Sequence, residues 1–270
     1  IVHRFKMSEY NYHIAVLADD IQFMVIDPIL SDAVLLMDDI SKHATFMLEE
    51  KCHMTVSTPK LVVVGNSKSI SNKFAARNHR FRTAATRSTR NLGVDFHCGL
   101  SSKSRKVQKS RIKTVADKAS RLRSIKKTGA KVMHVVKSGL IATGIYGTPV
   151  QSMPPRLVRI FRTKIHSAIV DKYKSRSCTI DLLVDGNNID PTFSVLADPI
   201  IWMLVADWNA FVPHHTLMRS LVFAIQEVES GRVNWNNSPG PIANAVLSLL
   251  HIGWTKVQAG KWIRPDSSVV

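Results

Sequence analysis

Apolar positions recur along the chain in two rhythms. Residues 12–17 and 21–26 are short runs of strand length with β-favouring side chains, separated by Ala18, Asp19 and Asp20. The pattern predicts strand, tight turn, strand: a β-hairpin with two carboxylates at its tip. Over residues 31–51 the rhythm changes. Val34, Leu35, Met37, Ile40, Ala44, Met47 and Leu48 follow one another mostly at three and four, which predicts a helix with Ser31 and Asp32 as its amino-terminal cap. Asp38 and Asp39 fall in mid-helix beside Lys42 and His43, and the pattern reads them as a solvated face. Further on, a turn carrying Lys60 leads into a strand-like run at 61–64 closed by Gly65. Leu92, Gly93 and Val94 open another short strand.

Beyond residue 101 the helical rhythm dominates. Val107, Ile112, Val115, Ala119, Leu122 and Ile125 make one apolar stripe over residues 102–128, with Gly129 as the stop. A second helix is expected over 131–146, where Gly139 and Gly144 interrupt the pattern and allow close packing. Pro149, Pro154 and Pro155 mark a loop. A third helix over 157–173 places Leu157, Ile160, Phe161, Ile165, Ala168 and Ile169 on one face, with Arg156, Arg159, Arg162 and Lys164 outside it or bordering nucleic acid. Asp190-Pro191 then starts a helix with the stripe Phe193, Leu196, Ala197, Ile200, Ile201, Leu204 and Val205. Trp202 and Trp208 on that helix could stack on bases, but the core is the favoured place for them. Residues 217–228 and 242–250 are further helices, the latter preceded by a break at Ser238-Pro239-Gly240-Pro241. Trp235, Trp254 and Trp262 lie in short or irregular segments and are expected to seal a small hydrophobic cluster.

With 270 residues and 45% hydrophobic composition, the chain can bury a real core in one large domain or two small ones. Charge sharpens the picture. Lys and Arg number 37 against 20 acids, a net charge of +17, and such a surplus predicts a polyanionic partner, most simply nucleic acid. Between Lys73 and Lys137, nineteen Lys or Arg stand against two acids, Asp95 and Asp117. On the 102–128 helix, Arg105, Lys106, Lys109, Arg111, Lys113, Lys118, Arg121, Arg123, Lys126 and Lys127 surround the apolar stripe. That set is too one-sided for ordinary i,i+4 ion pairing, so it reads as a phosphate-binding face.

Other chemistries are poorly served. Cys52, Cys98 and Cys178 are far apart and form no CxxC, which speaks against a disulfide framework or a zinc site and for a reducing compartment. An intracellular protein of nucleus or cytoplasm, not a secreted one, is the expectation. No apolar run reaches the roughly 18 residues that a membrane span needs. His214-His215 has no carboxylate or Cys at ligand spacing and reads as a loop pair. P-loop, GxSxG and dinucleotide-binding fingerprints do not occur, nor does a convincing RNase H or zinc-knuckle constellation.

The order of elements adds a resemblance. Hairpin with Asp pair, helix, Lys-led strand, basic loop and LGV strand together resemble the second half of the palm of reverse transcriptases, particularly those of non-LTR retrotransposons. LADD at 17–20 is similar to their [FY]xDD box, with Leu17 where an aromatic is usual. VSTPKLVVV is similar to the following segment, in which a Lys opens a strand. NLGVDF is similar to the YLGV strand that leads toward the thumb, with Asn91 in the aromatic's place. GAKVMHVVKSGLIATGIYGTPV resembles the thumb-like helical region of protist retroelement polymerases. TIDLLVDGNNIDPTF and GPIANAVLSLLHIGW resemble the connecting region beyond it. The resemblance spans nearly the whole chain and rests on the order of its motifs.

It implies roles. Asp19 would bind catalytic Mg²⁺, with Mn²⁺ as the alternative ion, and Asp20 would support the metal or hold the turn. Lys60 would lie near the phosphates of an incoming dNTP and donate a proton to pyrophosphate. Leu92, Gly93 and Val94 would place the primer end, and the basic helix would hold RNA template and DNA primer. Taken alone, the Asp pair also suits a polar hairpin turn, Lys60 a solvated turn, and the LGV run a core strand. A two-metal site needs a further Asp from an upstream strand, and the sole acid before His13 is Glu9. The expectation is therefore a fragment or decayed copy that lacks the upstream fingers and palm portion.

The expected fold is α+β: a truncated polymerase palm over 1–100, a basic helical thumb-like region over 101–175 and a helical connector over 176–270. The expected function is that of a fragment of an RNA-directed DNA polymerase working by two-metal nucleotidyl transfer. The alternative, from another class, is a non-catalytic basic helical protein that binds nucleic acid without metal.

Overall fold

The computed structural model of the chain describes residues 2–3, 11–17, 20–81, 85–86, 88–91, 94–97, 105–170, 177–184, 189–258 and 261–268. The architecture is broadly α+β and mostly helical, with small sheets. Two compact units divide the chain: residues 1–89 with 97–99, and residues 90–96 with 100–270.

In the first unit, β1 (Val2–His3), β2 (Asn11–Leu17) and β3 (Asp20–Ile26) form an antiparallel sheet in the order β1-β2-β3. The hairpin pairs without a break from Asn11 opposite Ile26 to Leu17 opposite Asp20. α1 (Leu30–Phe46) packs on β3 and continues into a wider π-type turn at Met47–Lys51. Its start corrects the sequence reading. The cap residue is Ile29, whose N–H donates to Asp27 Oδ1 at 2.7 Å, while Ser31 already lies in the first turn and donates to Asp32. A 3₁₀ turn at Thr58–Lys60 precedes β4 (Val63–Val64). α2 (Lys68–Arg77) is capped by Ser67, whose side chain accepts from the N–H of Ile70 at 3.3 Å. A short turn at His79–Phe81 leads to β5 (Ala85–Thr86), which pairs in parallel with β4.

Few apolar side chains are fully buried in the described part of this unit: Val34, Phe74 and Ala75. A polar cluster completes the interior. Asp38, expected on a solvated face, is 1% exposed. It accepts from Lys42 Nζ at 2.8 Å, Arg77 Nε at 3.0 Å and Asn78 Nδ2 at 3.3 Å, and so ties α1 to the end of α2. Burial pushes its carboxyl upward, but the hydrogen bonds and charges of Lys42 and Arg77 outweigh that and hold it below the ordinary carboxylate value. Asp39 remains exposed, as expected.

β6 (Ser88–Asn91) and β7 (Val94–His97) pair as a two-stranded sheet at the boundary of the division, with residues 90–96 assigned to the second unit. The helices α3 (Lys106–Lys126), α4 (Met133–Val135), α5 (Ala142–Ile145), α6 (Pro155–Ile169), α7 (Cys178–Val184), α8 (Pro191–Trp208), α9 (His214–Glu229) and α10 (Pro241–His251) follow. An antiparallel pair, β8 (Thr255–Gln258) and β9 (Lys261–Ile263), comes last. One apolar cluster joins Ile112, Val115, Ala119 and Leu122 of α3 to Val136, Leu140 and Ile141, and to Phe161, Ile165, Ala168 and Ile169 of α6. A second gathers Leu221 and Ile225 of α9, Val246 and Leu249 of α10, and Trp262, with Trp235 and Trp254 packed against it. The three tryptophans expected to seal a cluster thus meet there.

Other expectations shift. The continuous helix read over 131–146 is α4, a wide π turn at Val136–Ile141 that contains Gly139, and α5. Gly144 does permit close packing, since a Cβ there would lie 2.2 Å from the Phe161 ring. α6 ends at Ile169, and residues 171–176 lie outside the described residues. α8 starts as read, with Asp190 Oδ1 accepting from the N–H of Thr192 at 2.9 Å. Its buried face, however, is Pro191, Val195 and Pro199. Phe193, Ile201, Trp202 and Leu204 are exposed, and Trp208 is 90% exposed, so both tryptophans read as core stand in solvent. Among the described residues, no helix is long and apolar enough to cross a membrane.

Candidate nucleic-acid interface

Both ends of α3 are fixed by identifiable residues. Asp95, from the LGV-led strand β7, accepts from the N–H groups of Val107 at 3.0 Å and Gln108 at 3.4 Å, and so places a carboxylate at the positive end of the helix. At the other end Gly129 takes φ +85°, the left-handed conformation that ends helices at least cost, and donates to the carbonyl of Lys126 at 2.9 Å. Between them the buried stripe dictates orientation. With Ile112, Val115, Ala119 and Leu122 inside, Lys106, Lys109, Lys113, Lys118, Arg121 and Lys127 are exposed. None of these six forms an ion pair with an acid among the described residues.

Three cations assigned to that face belong elsewhere. Arg105 is 8% exposed. Its guanidinium donates to Gln108 Oε1 at 3.1 Å, to Ser152 Oγ at 3.5 Å, and to the main-chain carbonyls of Ser152 and Trp235. Burial pushes its pKa down to about 10 against the favourable charge of Asp95, and it remains a cation at neutral pH. Both terminal nitrogens are directed at the protein, not at phosphate. Arg111 is half-buried, donates to the Tyr146 carbonyl at 2.6 Å and lies 4.3 Å above the Tyr146 ring centroid. Lys126 donates to the carbonyl of Ile169. A fourth, Arg123, is half-buried and stands between the two sets. Spacing could not separate these from the exposed set, because the carbonyls that hold Arg105 lie 47 and 130 positions away.

The positions matched to a polymerase palm are placed only in part. Asp20 opens β3, at the end of the hairpin nearest the connection. Asp19, Leu92 and Gly93 lie outside the described residues. Val94 is half-buried in β7 and packs on Gly147. A Cβ at Gly147 would stand 2.6 Å from Val94 Cγ2, and its φ of +82° also favours glycine. Lys60 is exposed at the end of the 3₁₀ turn and does not open the strand, which begins at Val63. Among the described residues, no group of three or more His, Cys, Asp or Glu is placed to hold a metal ion. The donor chemistry of Asp19 and Asp20 nonetheless suits Mg²⁺, since adjacent carboxylates offer hard oxygens; other ligands would have to complete the shell.

His214 corrects one further reading. It begins α9, not a loop, and its Nδ1 lies 2.8 Å from Asp207 Oδ1, a carboxylate seven positions back that spacing had passed over. Comparison of the chain with known protein families, curated proteins and solved structures finds no match.

Proposed function

We propose that this chain is the second half of a reverse-transcriptase-type palm followed by a thumb and connector, and that it grips a template–primer duplex along α3. The observation that carries this reading is the solvent-facing row Lys106, Lys109, Lys113, Lys118, Arg121 and Lys127, held outward by a buried stripe and without acidic partners among the described residues. Unneutralised cations on a rigid helix suit a phosphate backbone, because each contact releases counterions. The palm assignment is supported by the unbroken β2–β3 pairing, with Asp20 opening β3, and by the helix that follows. In that assignment Asp19 and Asp20 hold Mg²⁺, which when bound would stabilise the developing charge on the transferred phosphoryl group. Lys60 serves the triphosphate of the incoming nucleotide. A further carboxylate would be needed to complete a two-metal centre.

The test is duplex binding across a salt series for the wild type and for the fourfold variant Lys109→Ala, Lys113→Ala, Lys118→Ala, Arg121→Ala. The variant is expected to bind more weakly, and the slope of log affinity against log salt should fall by about 0.9 for each phosphate contact removed. Equal affinity and equal slope would sink the assignment of α3. Primer extension on an RNA template with Mg²⁺, run beside Asp19→Ala, separates the two functional classes. Extension that the substitution abolishes assigns the Asp pair a catalytic part. Duplex binding indifferent to both Mg²⁺ and Asp19→Ala favours the non-catalytic basic binder.

A further inference from the structure

A cleft of about 190 Å³ opens in the second unit between α6, the start of α8 and the segment around Trp235. Met153, Val158, Val195 and Leu196 give it an aliphatic wall. Its charged lining is of one sign. Arg159 and Arg162 come from α6, with Thr192 and His251 beside them and no acid among the described lining residues. Arg159 is exposed and makes no ion pair among the described residues. Arg162 donates through a terminal nitrogen to Asp190 at 2.5 Å, so its charge is already partly answered. The exposed guanidinium of Arg159 has no such partner, and an anion gains more there than beside a paired cation.

Trp235 adds an aromatic ring to the lining. The Trp235 ring stands edge-on to His251, centroids 5.9 Å apart at 90°. Its main-chain carbonyl accepts from the buried Arg105 and from Ser152 Oγ, the latter at 2.9 Å. The cleft therefore pairs an aromatic ring and an aliphatic wall with one cation, Arg159, that has no ion-pair partner among the described residues. Its volume admits one planar heterocycle and is well short of the roughly 300 Å³ at which pockets for larger ligands begin.

We propose that this cleft takes one unstacked nucleotide of a single strand, with its base against Trp235 and the aliphatic wall and its phosphate on Arg159. Such a site combines the two elements that single-strand binders use, an aromatic surface for the base and a cation for the backbone. It deepens the nucleic-acid reading above and rests on it: the duplex lies along α3, and an unpaired nucleotide enters a separate cleft. A paired base cannot enter, because its partner would have to come with it.

The test titrates the full chain with a short oligothymidylate and, separately, with a blunt duplex. The indole N–H resonance of Trp235, assigned by its loss in Trp235→Phe, reports on the cleft, and calorimetry gives the affinities. The oligothymidylate is expected to move that resonance. Arg159→Glu, at an exposed position without an ion-pair partner, is expected to weaken strand binding about tenfold or more, with duplex affinity unchanged. The fourfold α3 variant should do the converse, with weaker duplex binding and an intact Trp235 response. The proposal is overturned if the oligothymidylate leaves the Trp235 resonance in place, or if Arg159→Glu binds it as tightly as the wild type. It is equally overturned if octanoate displaces the strand at equal concentration, because the cleft would then accept any amphiphilic anion. A retained Trp235 response alongside a failed α3 test would remove the duplex assignment and leave this site standing.

Discussion

α3 and α8 are long helices of the same unit, 21 and 18 residues, and both carry apolar residues at helical spacing. They face water in opposite ways. α3 buries Ile112, Val115, Ala119 and Leu122 and exposes its cations. α8 buries Pro191, Val195 and Pro199, while Phe193, Ile201, Trp202, Leu204 and Trp208 stand exposed. The period of a pattern says that a face exists; the residues on the other faces decide whether that face must turn inward. On α3 the remaining positions are largely Lys and Arg, which cannot be buried unpaired, so only one orientation is open to it. On α8 the remaining positions include Pro, Val, Ala and Met, and more than one face can be buried. Tertiary packing then chooses, and it chooses the face that carries the prolines.

The same substitution on the two helices should break the symmetry between them. Ile112→Ala on α3 is expected to lower stability by about 2–5 kcal/mol in urea unfolding, because a fully enclosed side chain leaves a cavity. A smaller loss would mean that α3 is not anchored by its stripe. The acid misread as solvated sharpens the contrast from the other side. Asp38→Asn should cost about 1–3 kcal/mol, since the charged acceptor for Lys42 and Arg77 is lost. Its depressed pKa sets the pH dependence: the contribution of Asp38 is complete above the unfolded value of about 3.9 and is lost as pH falls through the lower folded value. Wild type and variant should therefore converge in acid and separate toward neutrality, as paired unfolding curves would reveal. Ile201→Ala on α8 should change stability by no more than about 0.5 kcal/mol. A loss comparable to that at Ile112 would show that the exposed stripe is covered in solution.

Local pattern recovered what local forces determine. The β2–β3 hairpin follows from two neighbouring β-favouring runs, and α3 follows from its stripe and its stop at Gly129. The meeting of Trp235, Trp254 and Trp262 was legible because bulky rings in irregular segments have few other places to go. What escaped depends on partners distant in sequence. Asp38 looked solvated because Arg77 and Asn78 lie 39 and 40 positions on. Arg105 looked like its neighbours on α3 until the carbonyls of Ser152 and Trp235 were in place around it. The cleft beside Trp235 had no sequence signal beyond the arginines of α6, because its lining comes from segments brought together only by the fold.

The hold of Arg105 on the Trp235 carbonyl has a consequence for how the chain is made. A ribosome releases α3 long before Trp235, 130 positions later. Until then a guanidinium destined for the interior has no complete set of acceptors, and the start of α3 cannot close over it. The nascent basic helix therefore passes through a period in which Arg105 is hydrated and available to any polyanion nearby. Gln108 and Ser152 supply acceptors earlier, and Trp235 supplies the last of them.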